Sequence, residues 1–248
     1  MKANSSNPPN LESSLTVHTS STTDLNKEIS IVKNEVIKSS VAWMSKGTYE
    51  TIIVSGPEEL NDVLNNLKSN QAVSIGICNK GQSGKIKSKK SKKRVGISRS
   101  KDNFDFSNCF VFDIDGTNLA IEQVLLTLYT IDPNLKKADI LVRVSSSYGI
   151  HKIGEKPKIN GCGYHVWVFG VFNPSDIKRY GKDFAKLCWL AGNGFIKISK
   201  SGSMLVRQLI DVSVFSPERL VFEASPTLGE GLEQLERPYI IQYGDSNV

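Results

Sequence analysis

Asn108-Cys109-Phe110-Val111-Phe112-Asp113-Ile114-Asp115-Gly116-Thr117 is the stretch on which the fold turns. Its apolar run reads as a strand over 109–114 that ends in two acids. Period-two alternation places Asp113 and Asp115 on one face and Phe112 and Ile114 on the other. Beyond it, 119–131 reads as a helix with Ile121, Val124, Leu125 and Leu128 on one stripe. Strands follow at 140–144 and 164–170. Asn173 then caps a second helix, with Pro174 at its first position and Asp176 at its third. Ile177, Tyr180, Phe184, Leu187, Cys188 and Ala191 form its inner stripe, and Gly192-Asn193-Gly194 ends it. The stretches 195–199 and 204–211 read as strands.

The order β-α-β-β-α-β predicts an α+β fold, an RRM-like (ferredoxin-like) sheet with helices on one face. Ahead of it, 51–55 and 72–77 read as strands around a helix opened by Pro57, with Leu60, Val63, Leu64 and Leu67 at helical spacing. Three regions are therefore expected: a disordered tail over 1–25, a small N-terminal α/β module over 26–104, and the RRM-like core over 105–248. The tail is rich in Ser, Thr and Asn, with few apolar anchors. Inside the module, 80–101 is a basic loop carrying Lys85, Lys87, Lys89, Lys90, Lys92, Lys93 and Arg94. It reads either as a solvated loop or as an arm for a phosphate backbone.

With 31 Lys and Arg against 25 Asp and Glu, the net charge of +6 favours a polyanionic partner. No apolar run is long enough to span a bilayer, and no signal pattern opens the chain, so a cytoplasmic location and no membrane partner are expected. Cys78, Cys109, Cys162 and Cys188 are scattered without a C-x-x-C pair, which fits neither a zinc ribbon nor a disulfide framework.

Asp113 and Asp115 repel one another unless a cation lies between them, and hard oxygen ligands of this kind suit Mg²⁺ or Mn²⁺. The plainer alternative is that they only begin the turn at Gly116. Asp211 ends the run Leu205-Val206-Arg207-Gln208-Leu209-Ile210-Asp211, where alternation aligns it with Arg207. The two make either a simple ion pair or a third metal carboxylate beside a phosphate-binding arginine. His165 is either a half-buried strand residue or a donor to a triphosphate oxygen. Ser145 and Ser147 are candidate hydroxyl donors, and Gly161 and Gly163 leave room for a phosphate.

Three of these segments together resemble the archaeo-eukaryotic primase superfamily, in particular its plasmid- and phage-borne primase-polymerases. The motifs are Phe110-Val111-Phe112-Asp113-Ile114-Asp115 (an apolar strand ending D-x-D), Gly163-Tyr164-His165 (small-x-His) and Leu209-Ile210-Asp211 (apolar-Asp). The match covers roughly residues 105 to 225. It departs from the pattern in having Gly163 where a serine is expected and a long insertion over 148–162.

The resemblance implies a DNA primase or primase-polymerase that makes primers by nucleotidyl transfer from NTPs or dNTPs. Two Mg²⁺ or Mn²⁺ ions would be held by Asp113, Asp115 and Asp211, the catalytic set. His165 would touch the incoming phosphates, with Arg207 and Arg219 near the triphosphate or template. Expected partners are a single-stranded DNA template, the nucleotide and a replicative helicase, in plasmid or phage replication. Lys87, Lys89, Lys90, Lys92, Lys93 and Arg94 are the expected nucleic-acid contacts. Two rivals remain: a haloacid-dehalogenase-like phosphohydrolase with Asp113 as nucleophile and Asp115 as acid/base, and a non-catalytic nucleic-acid-binding module.

Overall fold

The computed structural model describes residues 12–38, 43–88, 91, 95–115, 118–157, 159, 161, 163–170, 172–199 and 201–245. Its amino-terminal part runs β1 (Ser13–Ser20), β2 (Glu28–Val32), β3 (Glu35–Lys38), β4 (Gly47–Val54), α1 (Pro57–Asn65), β5 (Gln71–Ser74) and β6 (Gly76–Cys78). Then come β7 (Ser83–Lys87), β8 (Ile97–Ser98), β9 (Phe104–Phe106) and β10 (Cys109–Ile114). Next are α2 (Ile121–Ile131), β11 (Asp139–Val144), β12 (Ile150–Lys152), β13 (Tyr164–Phe169) and α3 (Ile177–Leu190). The chain finishes with β14 (Gly194–Ile198), β15 (Met204–Gln208), β16 (Thr227–Leu228), β17 (Leu232–Gln234) and β18 (Tyr239–Gln242). It is an α+β chain dominated by strands in several small sheets.

The central sheet has the order β10-β13-β11-β18, and all its pairings are antiparallel. β13 is buried at every position because both faces of the sheet are covered. On one face Phe112 stacks against Phe184 of α3, with ring centroids 4.6 Å apart, and Phe110 meets Tyr180 and Phe215. Burying each such ring contributes about 1.5–3 kcal/mol. Gly181 makes room for Phe215: a Cβ there would lie 2.3 Å from its ring. On the opposite face Arg143 of β11 reaches Asn61 and Asn65 of α1. The expected helices-on-one-face layer is therefore corrected: α1 covers the second face.

Four further expectations change. The tail expected over 1–25 holds β1, which pairs with both β4 and β5 in a five-stranded sheet. Leu15, Thr16 and His18 of β1 are fully buried. Its hydroxyls made the stretch read as solvated, yet Thr16 Oγ1 donates to the Gly76 carbonyl at 2.7 Å and His18 Nε2 bonds Ser74 Oγ at 2.9 Å. Residues 1–11 lie outside the described residues. The basic loop expected over 80–101 contains β7, which pairs with β4, and β8 beside it.

The strand expected over 204–211 stops at Gln208 and pairs only with β14, outside the central sheet. Met204 and Val206 remain 74% and 64% exposed, so the alternation there does not mark a core-facing strand. The boundary expected at 104/105 is no break in packing either. One core joins Leu15, Leu60 and Val73 to Phe112, Val124 and Trp167, and β16 returns to pair with β2.

Candidate active site

Asp113 sits near the end of β10, and the β10–β13 register sets it directly across from His165. Asp115 stands just past the strand end. Asp211 arrives from far along the chain, and its backbone N–H donates to the Asp113 carbonyl at 2.7 Å. All three acids and His165 line one cleft of about 860 Å³. The sequence expectation that these distant segments converge holds in the structure.

The charges within the cleft are unevenly compensated. Asp115 is pushed above the usual carboxylate range by desolvation and by the neighbouring charges of Asp113 and Asp211. Burial works against ionised Asp113, but His165 and Lys27 outweigh it and hold that carboxyl low. The Asp211 carboxylate accepts from Ser213 N at 2.9 Å and from Ser213 Oγ at 2.8 Å, capping a 3-10 turn over Val212–Val214. Among the described residues no three His, Cys, Asp or Glu side chains form a ready-made metal cluster. The donor chemistry nonetheless fits a hard divalent cation: three carboxylates line the cleft, and two of them already raise the proton affinity of the third.

The same cleft also has basic and polar lining. Lys27 donates to Ser145 Oγ at 2.9 Å and Lys38 to Ser147 Oγ at 3.4 Å. Burial and the nearby Lys38 lower the Lys27 ammonium to about 8. Lys152, Lys156 and Arg219 line the same cleft, as do Gly161 and Gly163. At Gly163 a Cβ would lie 2.9 Å from the Ile114 carbonyl oxygen, so the glycine keeps β13 tight against β10. Sequence reasoning missed Lys27 and Lys38. They flank the β2–β3 hairpin, and no local spacing links that hairpin to Ser145 and Ser147.

Behind the acids lies a buried hub that was also missed. Glu223 is fully buried and accepts from His165 Nδ1 at 2.7 Å, Arg237 Nη2 at 2.7 Å, and Arg143 Nε and Trp167 Nε1 at 3.4 Å each. Burial alone would raise its carboxyl, but His165, Arg143 and Arg237 overcome that and hold it well below the usual range. Burial likewise works against an imidazolium at His165, yet Glu223 and Asp113 hold it up at about 9. At neutral pH His165 is therefore charged, with Nδ1 donating to Glu223. Its Nε2 lies 3.5 Å from Asp113 Oδ1, longer than a good hydrogen bond. One signal was present: Glu223 interrupts the apolar run Leu220-Val221-Phe222, and a carboxylate in such a run needs cationic partners.

Not every expected residue reaches the cleft. Arg207 is exposed on β15, is not part of the lining, and makes no ion pair with Asp211 among the described residues. Lys87 lies in β7, away from the cleft. Lys89, Lys90, Lys92, Lys93 and Arg94 lie outside the described residues. Cys78, Cys109 and Cys188 are buried free thiols, and Cys162 lies outside the described residues. No helix among the described residues is long and apolar enough to cross a membrane. No family model, curated protein or solved structure matches this chain.

Proposed function

We propose that this chain is a metal-dependent nucleotidyltransferase of the primase-polymerase type. One observation carries the reading: Asp113, Asp115 and Asp211, from separate parts of the chain, meet His165 in a single cleft that Lys27, Lys38 and Arg219 also line. Acids and cations gathered in one cleft suit a ligand that brings both cations and phosphates. The fold gives further support. The order β10-β13-β11, with β18 added beside β11, α3 stacked on one face and Asp211 bonded to the β10 edge at Asp113, supports an RRM-like reading of the layer.

Asp113, Asp115 and Asp211 would hold Mg²⁺ or Mn²⁺. Once bound, such ions lower the pKa of an attacking 3′-hydroxyl and stabilise the leaving pyrophosphate. Lys27, Lys38 and Arg219 provide charge for the triphosphate, and Ser145 and Ser147 provide hydroxyls beside it. His165 is oriented from behind by Glu223, which leaves Nε2 directed at the acids and the cleft.

The phosphohydrolase rival finds less support. The central sheet is antiparallel throughout, whereas that reading calls for a doubly wound sheet, and Asp245 bonds to the Lys136 carbonyl and does not line the cleft. The test is incubation with a single-stranded template, labelled nucleotides and Mg²⁺ or Mn²⁺. Template-dependent product from the wild type, reduced on the order of a thousandfold in Asp113→Ala and Asp211→Ala, is the expected result. Phosphate release from a phosphomonoester, with no extension, would replace this reading with the hydrolase. Nucleic-acid binding indifferent to both substitutions, without product, would leave a binding module.

A further inference from the structure

A second groove, of about 690 Å³, adjoins the cleft and shares Arg219 and Phe222 with it as a common wall. At its edge Trp43 is 73% exposed, an unusual place to leave an indole in water. The Arg99 guanidinium lies over that ring at 5.4 Å from its centroid and is fixed by donating from Nη1 to the Glu218 carbonyl at 2.8 Å. Lys178 and Lys182, one turn apart on α3, add two exposed ammonium groups. Glu218 supplies the opposing carboxylate, already engaged by Ser216 Oγ at 2.7 Å. Four cations thus face one committed acid, around an aromatic ring open to solvent.

We propose that this groove binds a single-stranded polynucleotide, with bases stacking at Trp43 and phosphates passing Lys178 and Lys182 toward Arg219. An aromatic ring beside a cationic track is the combination that holds unpaired strands, because every base offers a π-face and every phosphate a charge. In a duplex the bases are stacked on one another and leave nothing for the indole to accept. An acidic peptide would satisfy the lysines but has no use for Trp43. The groove opens beside the acids, so a strand lying in it would be delivered to the cleft. Naming that strand as template rests on the nucleotidyltransferase reading, whereas the binding itself does not.

The experiment is titration of the full chain with a labelled oligothymidylate, without nucleotide or divalent cation, followed by anisotropy. Trp43→Ala is expected to weaken binding about tenfold or more, with Trp43→Phe retaining most of the affinity. The double variant Lys178→Ala/Lys182→Ala should lower the slope of log affinity against log salt by about 1.4, at ~0.7 per lost phosphate contact on a single strand. Trp43→Ala binding the strand undiminished would overturn the proposal, even if synthesis persists. Poly-glutamate competing as well as the oligonucleotide, regardless of Trp43, would also overturn it and assign the groove to an acidic peptide. Conversely, loss of Asp113-dependent synthesis as a property, with Trp43-dependent binding intact, would fail the polymerase reading and leave the groove standing.

Discussion

Glu223 and Asp115 stand at opposite depths of the same site and meet opposite fates. Glu223 is fully buried, yet donors from three cationic side chains and one indole surround it, and it stays ionised. Asp115 is nearer the solvent, yet desolvation and two neighbouring carboxylates push protons onto it, against the smaller pulls of His165 and Lys38. Burial alone is thus a poor guide to function. A carboxylate whose partners are all supplied by the chain serves the fold, and one whose charge the chain compensates poorly has room for a cation from outside.

The contrast breaks most readily at Glu223. Glu223→Ala leaves Arg143, Arg237 and His165 as buried cations without their counter-ion, at a cost of about 3–5 kcal/mol. Chemical denaturation should show that loss directly. A midpoint within error of the wild type would mean the hub is not what holds the cleft's rear wall.

The pH dependence of the same contact has a definite sign. The His165 pKa is raised from 6.5 to about 9, so its contribution is complete below pH 6.5 and is lost as pH rises through 9. Glu223 is lowered from 4.5, so its contribution is complete above that value and is lost as pH falls below it. His18, lowered from 6.5 to about 3 by burial and Arg99, works in the other direction, losing stability only as pH falls below 6.5. Above pH 6.5 His18 stays neutral, and Lys27, lowered from 10.5 to about 8, adds stability only as pH rises above 8, so a decline in unfolding midpoint between 6.5 and 8 reports His165. Glu223→Gln should flatten that decline, and an unchanged slope would assign it elsewhere.

Gly163→Ser offers a smaller, sharper probe. A Cβ 2.9 Å from the Ile114 oxygen forces β10 and β13 apart beside the acids. A loss of about 1–3 kcal/mol in stability is expected, the usual range for overpacking. A gain in nucleotide affinity without that loss would mean that the missing hydroxyl, and not the close approach, is what matters here. The smallest effect belongs to Asp115→Asn. Removing one of three repelling charges should leave stability within about 0.5 kcal/mol of the wild type, on the favourable side. A clear drop in thermal midpoint would show that Asp115 has a structural partner after all.

What could be read from the sequence was what local patterns carry. Asp113 and Asp115 ended an apolar strand, His165 lay in another, and α2 and α3 showed their stripes; Asn173, read as the cap of α3, instead caps the 3-10 turn Pro174–Asp176 ahead of it, accepting from Ser175 N at 3.0 Å. What could not be read depended on distant partners. Lys27 and Lys38 become site residues only because Ser145 and Ser147 fold against them. β1 looked like solvated tail because it is rich in hydroxyls, and the partners of Thr16 Oγ1 and His18 Nε2, Gly76 and Ser74, lie far along the chain. The stretch 204–211 read as one strand, with alternation aligning Arg207 and Asp211. Ile210 is buried, but Val206 is not, and the chain turns between them to reach Asp113.

The return of β16 to β2, together with a core that draws equally on Leu15 and Trp167, bears on how such a chain can be cut or joined. Expressing 105–248 by itself would strip away α1, the Arg143 contacts on it, and Lys27 and Lys38 of the cleft. With one core shared between them, the two halves of this chain stand or unfold together.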